Sequence, residues 1–336
     1  RVAICLTGTG EDRPRVSAFC TPSLSRRNRM AFRPKAFLKA SLVKAFHLGQ
    51  RFGVDILPRH FYSEIPSIPK LRQTDAWRFP YSMTAVQGVD LDSQLEFVKS
   101  AVTPSVAQYV AEHDIRAEAS QENGELGYGP IESQMLFAFV ATKRPQRIVQ
   151  IGCGVSTAIC IAAGKFAGYR PEITCVEPFA TDFLKRVAQS GDIKLIEQPV
   201  ENIGVDFLQC LQAGDLFFVD STHTLGPAGE VTRIITEMLP RVPTGCLVHF
   251  HDIFFPYDYS PRILVESMFF WHESALLHAF LCMNPSYRIA ASLSMLHNAR
   301  PVELQKAFPK YRPMAMSHGL GEEGDFPSST YLEVVG

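Results

Sequence analysis

The chain has 336 residues, 46% of them hydrophobic and 20% charged, with 33 Lys plus Arg against 34 Asp plus Glu and a formal net charge of -1. This apolar fraction excludes wholesale disorder, and the near-zero charge argues against a dedicated nucleic-acid binder. The length suffices for one large domain or for a core domain with a smaller one appended.

The chain starts at Arg1, and its first methionine is Met30. Residues 1–29, rich in Arg, Ser, Thr and Pro, are expected to be a non-native or disordered extension. Pro34 to Arg51 places Phe37, Leu38, Leu42, Val43 and Phe46 at helical spacing. The favoured reading is a docked helix with solvated lysines, and the alternative is a basic membrane-surface helix. Residues 53–90 read as an irregular connection with four prolines. Leu91 to His113 reads as one or two helices around Pro104, and Glu118 to Gly127 as a polar linker.

A new pattern then begins. Strands are predicted at Arg147–Ile151, Glu172–Val176, Ile193–Glu197, Asp215–Val219 and Gly245–Phe250. Helices are predicted before and between them, at Ile131–Thr142, Ser156–Phe166, Thr181–Gln189, Ile203–Ala213 and Pro227–Leu239. This alternation implies a parallel α/β sheet covered on both faces. The tail reads as a long helix, Pro261–Met283, and two strands, Tyr287–Ser292 and Ser329–Val335. The expected division is a helical or irregular N-terminal cap over 30–127 and a sheet domain over 128–336.

No stretch reaches the roughly 20 apolar residues that a membrane span needs. Leu264 to Met283 comes nearest, interrupted by Glu266, His272, Glu273 and His278. The eight cysteines, at positions 5, 20, 153, 160, 175, 210, 246 and 282, contain no CxxC pair. They read as free thiols of a reducing compartment, so a cytoplasmic location is expected.

The chemistry concentrates after the predicted strands. Gln150-Ile151-Gly152-Cys153-Gly154 carries a strand into a tight glycine turn, where backbone can approach a ligand closely. A dinucleotide fingerprint needs a third glycine where Thr157 stands, which counts against a nicotinamide cofactor. Glu177 ends the next strand, where an acid can accept hydrogen bonds from ribose hydroxyls. Asp220 and His223 follow the fourth predicted strand, and His251 and Asp252 the fifth. Four titratable side chains on adjacent strand ends look like a reaction centre. His249 alternates away from Phe250 and is expected to be buried. Phe61-Tyr62, Trp77, Phe79-Pro80-Tyr81 and Pro256-Tyr257-Asp258-Tyr259 read as packing onto the sheet or as the lining of an apolar acceptor pocket.

In these residues the sequence resembles class I S-adenosylmethionine-dependent methyltransferases of the small-molecule O-methyltransferase-like branch. The resemblance covers about Tyr128 to Val335. It rests on Ile151-Gly152-Cys153-Gly154, Val176-Glu177, Val219-Asp220-Ser221-Thr222-His223 and His249-Phe250-His251-Asp252, with the final strand pair. It implies a Rossmann-like, doubly wound, mostly parallel seven-stranded sheet with an antiparallel last strand. It also implies S-adenosyl-L-methionine as cofactor. Gly152, Cys153 and Gly154 would lie against its amino-acid part, Glu177 on its ribose, Gln198 or Glu201 near its adenine and Asp220 beside its sulfonium. Gln150 stands where the family usually has an acid, can still accept a hydrogen bond, and is counted with the cofactor-binding residues. Some relatives hold Mg2+ through carboxylates at the places of Asp220 and Asp252, but His251 replaces a further acidic ligand, and a softer divalent ion or no ion fits as well. His251 and His223 are the candidate bases, with Asp252 beside them. The expected partner is a small-molecule acceptor, with no nucleic acid and no membrane span, and a homodimer is open. Two other readings stay open: a catalytically silent nucleoside-binding module and an NAD-dependent oxidoreductase.

Overall fold

The computed structural model describes residues 34–57, 59, 61–313 and 327–336. The expectations for residues 1–29, Met30, Cys5 and Cys20 lie outside the described residues. Compactness divides the chain into two units, 1–63 and 64–336.

The first unit contains α1 (Pro34–Gln50), which ends in a turn and leads into extended chain. Among its described apolar side chains, Leu42, Val43 and Leu48 are exposed and Phe46 is half-buried.

The second unit opens with α2 (Ile68–Leu71), α3 (Leu91–Ala101), α4 (Pro104–Glu112), α5 (Ile115–Asn123) and α6 (Pro130–Lys143). There follow β1 (Arg147–Ile151), α7 (Val155–Phe166), β2 (Glu172–Val176), α8 (Asp182–Gln189) and β3 (Ile193–Ile196). Then come β4 (Leu216–Val219), α9 (Glu230–Arg233), β5 (Leu247–Phe250) and α10 (Glu273–Leu281). The chain ends with β6 (Tyr287–Ser292), α11 (Leu293–Ala299), α12 (Pro301–Ala307) and β7 (Thr330–Val334). The sheet has seven strands in the order β3-β2-β1-β4-β5-β7-β6. Only β7 runs against its neighbours, pairing antiparallel with both β5 and β6. This is the doubly wound architecture expected, with the reversed last strand.

Successive side chains on a strand point to opposite faces, and both faces are dry. Ile148, Leu216 and Phe218 pack with α6 and α7 in one core. Val149, Phe217, Val219 and Phe250 pack on the other side with Val231, Ile234 and Leu277. Register then sets the site. Ile151 lies opposite both Val176 and Val219, and Val219 lies opposite Phe250. The parallel strands β1, β2, β4 and β5 therefore end level. Gly152, Glu177, Asp220 and His251 are each the first residue past an end.

Three elements differ from expectation. The polar stretch expected as a linker begins inside α5. The Asp114 carboxylate caps this helix by accepting from the Ala117 N–H at 3.0 Å, and Gly124 ends it in the left-handed region at φ 82°. Only Ile115, Ala119, Ser120 and Asn123 are buried, so most of its surface is legitimately polar. The helix expected at Pro261–Met283 is broken into a π-helical turn at Arg262–Glu266 and α10. The break is pinned from a distance: the His223 carbonyl accepts the N–H of His272 at 2.9 Å. The helix expected at Ile203–Ala213 is reduced to short 3-10 turns ending at Cys210.

Candidate active site

The glycine loop is stitched to both neighbouring strands. The Gly152 N–H donates to the Val176 carbonyl at 3.2 Å, and the Asp220 N–H donates to the Ile151 carbonyl at 2.9 Å. Gly152 has φ 74°, and a Cβ there would overlap the Asp220 carbonyl oxygen. Only glycine meets both demands. Gly154 has φ 147° and lies against the Asn123 side chain. Glu177 reaches back across the end of β2. One oxygen accepts from the Cys153 N–H at 3.2 Å and the other from the Phe179 N–H at 2.8 Å. A carboxylate has about four acceptor sites, so each oxygen keeps capacity for a further donor. Gln198 follows β3 and is exposed.

Gln150 is placed differently from the loop it precedes. Its side chain is fully buried between β1 and α7. The Thr157 hydroxyl donates to its Oε1 at 2.7 Å, and its Nε2 donates to the Ser156 hydroxyl at 3.2 Å. Thr157, the residue where a third glycine was sought, is thus a buried hydrogen-bonding partner.

Past β4 and β5 the four predicted side chains converge. His251 Nδ1 donates to Asp220 Oδ1 at 3.2 Å and lies 3.7 Å from Asp252 Oδ2. His223 Nε2 lies 3.6 Å from Asp220 Oδ1 and 3.5 Å from Asp252 Oδ2. Asp252 Oδ1 accepts from the Ser328 hydroxyl at 2.9 Å. His223 and Asp252 both sit in the left-handed region, at φ 60° and 54°. Asp220 is the open member, its side chain 33% exposed.

Two glutamates that sequence reasoning missed complete the cluster. Glu273, at the start of α10, is wholly buried, accepting from His223 Nδ1 at 2.6 Å and the Ser221 hydroxyl at 2.8 Å. Glu132, in the first turn of α6, lies 3.4 Å from His251 Nε2. Its other oxygen accepts from the Ser328 N–H and the Ser329 hydroxyl, both at 2.9 Å. A Cβ at Gly129 would overlap this carboxylate, so the glycine makes room for it. The available signal was an acid in the first turn of a helix that runs apolar from Met135 to Val140. It marks a buried partner without saying whose.

Burial alone would push both imidazoles toward neutrality, but the surrounding acids win. For His223, burial lowers the pKa, while the Glu273 hydrogen bond and charge, with Asp252 and Asp220, raise it to about 9. For His251, burial is likewise outweighed by Asp252, Asp220 and Glu132, and its pKa is held well above the ordinary histidine value. Burial raises the pKa of Asp220, yet His251 and His223 bring it below the usual carboxylate value. The same balance holds Glu132 low against its burial, with His251 the main counter-charge. His249 is the contrast. It is buried, stacked 4.4 Å from Phe218, and shares hydrogen bonds of 3.0 Å with the Tyr128 hydroxyl and the Ser329 hydroxyl. Burial and the nearby His251 push its pKa down to about 3, so it is neutral.

The inward oxygens of Asp220 and Asp252 face the imidazoles of His223 and His251, at 3.2 to 3.7 Å. Among the described residues no group of three or more His, Cys, Asp or Glu side chains is arranged as a metal site.

Of the aromatic lining proposed from sequence, Tyr81 reaches the strand-end region, where its N–H donates to the Pro256 carbonyl at 2.6 Å. Phe79 is exposed, as is Phe61 in the first unit.

Comparison with known proteins places the glycine loop and the strand-end cluster in one matched segment. A family model described as a methyltransferase domain matches residues 149–253. An uncharacterised protein of Archaeoglobus fulgidus is 31% identical over 187 residues, covering 53% of this chain and 82% of that protein. The O-methyltransferase TomG from Streptomyces achromogenes, solved in complex with SAM, is 14% identical with a TM-score of 0.42, over 69% of this chain and 96% of that one. The O-methyltransferase from Bacillus cereus, solved in complex with SAH, is 14% identical with a TM-score of 0.39, over 69% of this chain and 97% of that one.

Proposed function

The chain belongs to the class I S-adenosylmethionine-dependent methyltransferase family, and from that premise we propose that it methylates a hydroxyl oxygen of a small-molecule acceptor at Asp220. The observation that carries this reading is the level ending of β1, β2 and β4. It sets the close-approach glycine loop and the Glu177 carboxylate beside the one open acid of the cluster. The bound donor supplies an electrophilic methyl group on a sulfonium. Gly152, Cys153 and Gly154 offer backbone to its amino-acid part, and Glu177 has acceptor capacity left for its ribose. Gln198, exposed past β3, would approach its adenine. Gln150, bonded to Thr157 and Ser156, supports the loop through α7.

Asp220 then orients the acceptor hydroxyl, and the imidazole of His251 or His223 takes up its proton once deprotonated. Asp252 holds both rings in place. A second reading, donor binding without turnover, is favoured by the acids around both imidazoles, which raise their pKa and so favour the protonated ring over the free base.

Calorimetric titration of the full chain with S-adenosylmethionine, S-adenosylhomocysteine and NAD tests the premise of the site. Binding of both sulfur nucleosides is expected. Failure of both to bind overturns the reading, and binding of NAD alone replaces it with oxidoreductase chemistry.

A further inference from the structure

The mechanism makes no use of the first unit, and its surface is unusual. From Ser41 to Leu57 no residue is buried, and Leu48, Phe52, Val54, Ile56 and Leu57 are each at least half exposed. Such a concentration of exposed apolar side chains marks an interaction surface. Over the described side chains of α1 the pattern is two-sided. Leu42, Ala45, Phe46 and Gly49 recur at i, i+3, i+4 and i+7 and share one face. Lys44 and His47 lie at i and i+3 on the other, and Arg51 follows in the turn after the helix.

Charge divides along the same boundary. Residues 34–63 carry five Lys or Arg, at 35, 39, 44, 51 and 59, against the single acid Asp55. Residues 64–336 carry 21 Lys or Arg against 31 Asp or Glu, a net charge of -10. Residues 1–33 add seven Arg against two acids, so the basic excess runs over residues 1–63 and the acidic excess over 64–336.

We infer that residues 41–57 bind the surface of an anionic lipid bilayer, with the Leu42 face and the Phe52–Leu57 stretch entering the interface and Lys44 and Arg51 meeting the headgroups. A 17-residue helix rises about 25 Å and carries too many charges to span, and no helix among the described residues is long and apolar enough to cross a membrane. Lying in the interface uses both of its faces. Long basic side chains reach headgroups while their stems stay in the apolar zone. Nucleic acid would satisfy the basic residues but would leave Phe52, Val54, Ile56 and Leu57 in water. A bilayer interface takes apolar side chains from helix and extended chain alike.

The test is co-sedimentation of the full chain with phosphatidylcholine vesicles, with and without phosphatidylserine. Binding to the anionic vesicles, weakening as salt rises, is expected, with little binding to neutral ones. Replacing Lys44→Gln and Arg51→Gln together should weaken binding about 30-fold, near fivefold for each charge. Replacing Phe52→Ser and Leu57→Ser should weaken it by about tenfold or more while the charge is unchanged. Equal binding to neutral vesicles, insensitivity to both variants, or capture of duplex RNA in place of vesicles at the same salt would overturn the inference.

Discussion

The chemistry turns on single protons held between buried acids. His223 carries a pKa of about 9, so its free-base form appears only above that value. If His223 releases the proton that turnover requires, kcat/KM rises with pH through about 9, and a profile flat from neutral to alkaline pH would exclude it. Replacing Glu273→Gln removes the carboxylate that accepts from His223 Nδ1, so this limb should move to lower pH. Replacing His251→Ala should lower kcat by about 100-fold or more if it handles the acceptor proton, and unchanged turnover removes it from that role. The same shifts set stability. A raised histidine pKa stabilises the fold fully below about 6.5, and the benefit is lost as pH rises through about 9 for His223. His249 has the opposite sign: its pKa falls from 6.5 to about 3, so stability is lost as pH drops through that window. Between the ordinary histidine and carboxylate values the slope is about 1.4 kcal/mol per pH unit from this residue. Urea unfolding of His249→Leu should be less stable at neutral pH but flatter in that interval. An unchanged slope would show the acid sensitivity to arise elsewhere.

At the scale of elements, glycines in the left-handed region do unlike jobs. Gly124 ends α5 at φ 82° with open space around its Cα. Gly124→Ala should cost about 1 kcal/mol in unfolding free energy and leave donor affinity unchanged. Gly152→Ala must instead displace the β4 end, because the new Cβ overlaps the Asp220 carbonyl oxygen. It should weaken S-adenosylmethionine binding by at least about tenfold in the same titration. Equal affinities for the two variants would mean that the loop does not contact the donor. Local pattern made much of this readable. β1, β2 and β6 begin and end where the apolar runs do, since a strand buried on both faces announces itself as Arg147–Ile151 does. Local pattern failed where a distant residue decides. α5 looks like a linker because its buried face is small, and the break before Glu273 depends on a carbonyl 50 residues away. The strand-end acids and histidines could be listed from sequence. Their pairing with Glu132 and Glu273 could not, because it is fixed by where α6 and α10 land.

Over the whole molecule, the strongest division is between residues 41–57, none of which is buried, and a unit with a core on both faces of its sheet. The buried hydrophobic residues described begin at Val86 and continue to Val334, on both faces of the sheet. Helices α3, α4 and α5 contribute Leu95, Val98, Val106, Val110 and Ile115 to the same core as β1. These helices, expected as part of a cap, are therefore also structural walls of the sheet unit. Cooperative unfolding follows the buried area, and residues 41–57 contribute no buried side chain. A chain beginning at Glu64 should therefore unfold in urea with the midpoint and slope of the full chain and bind S-adenosylmethionine equally well. The same chain should lose its affinity for anionic vesicles. If the midpoint instead falls by the equivalent of more than about 1 kcal/mol, the first unit stabilises the second, and the separation of folding from surface attachment fails. If only vesicle binding is lost, the methyltransferase unit is complete without its basic segment, and that segment acts on where the unit works rather than on what it does.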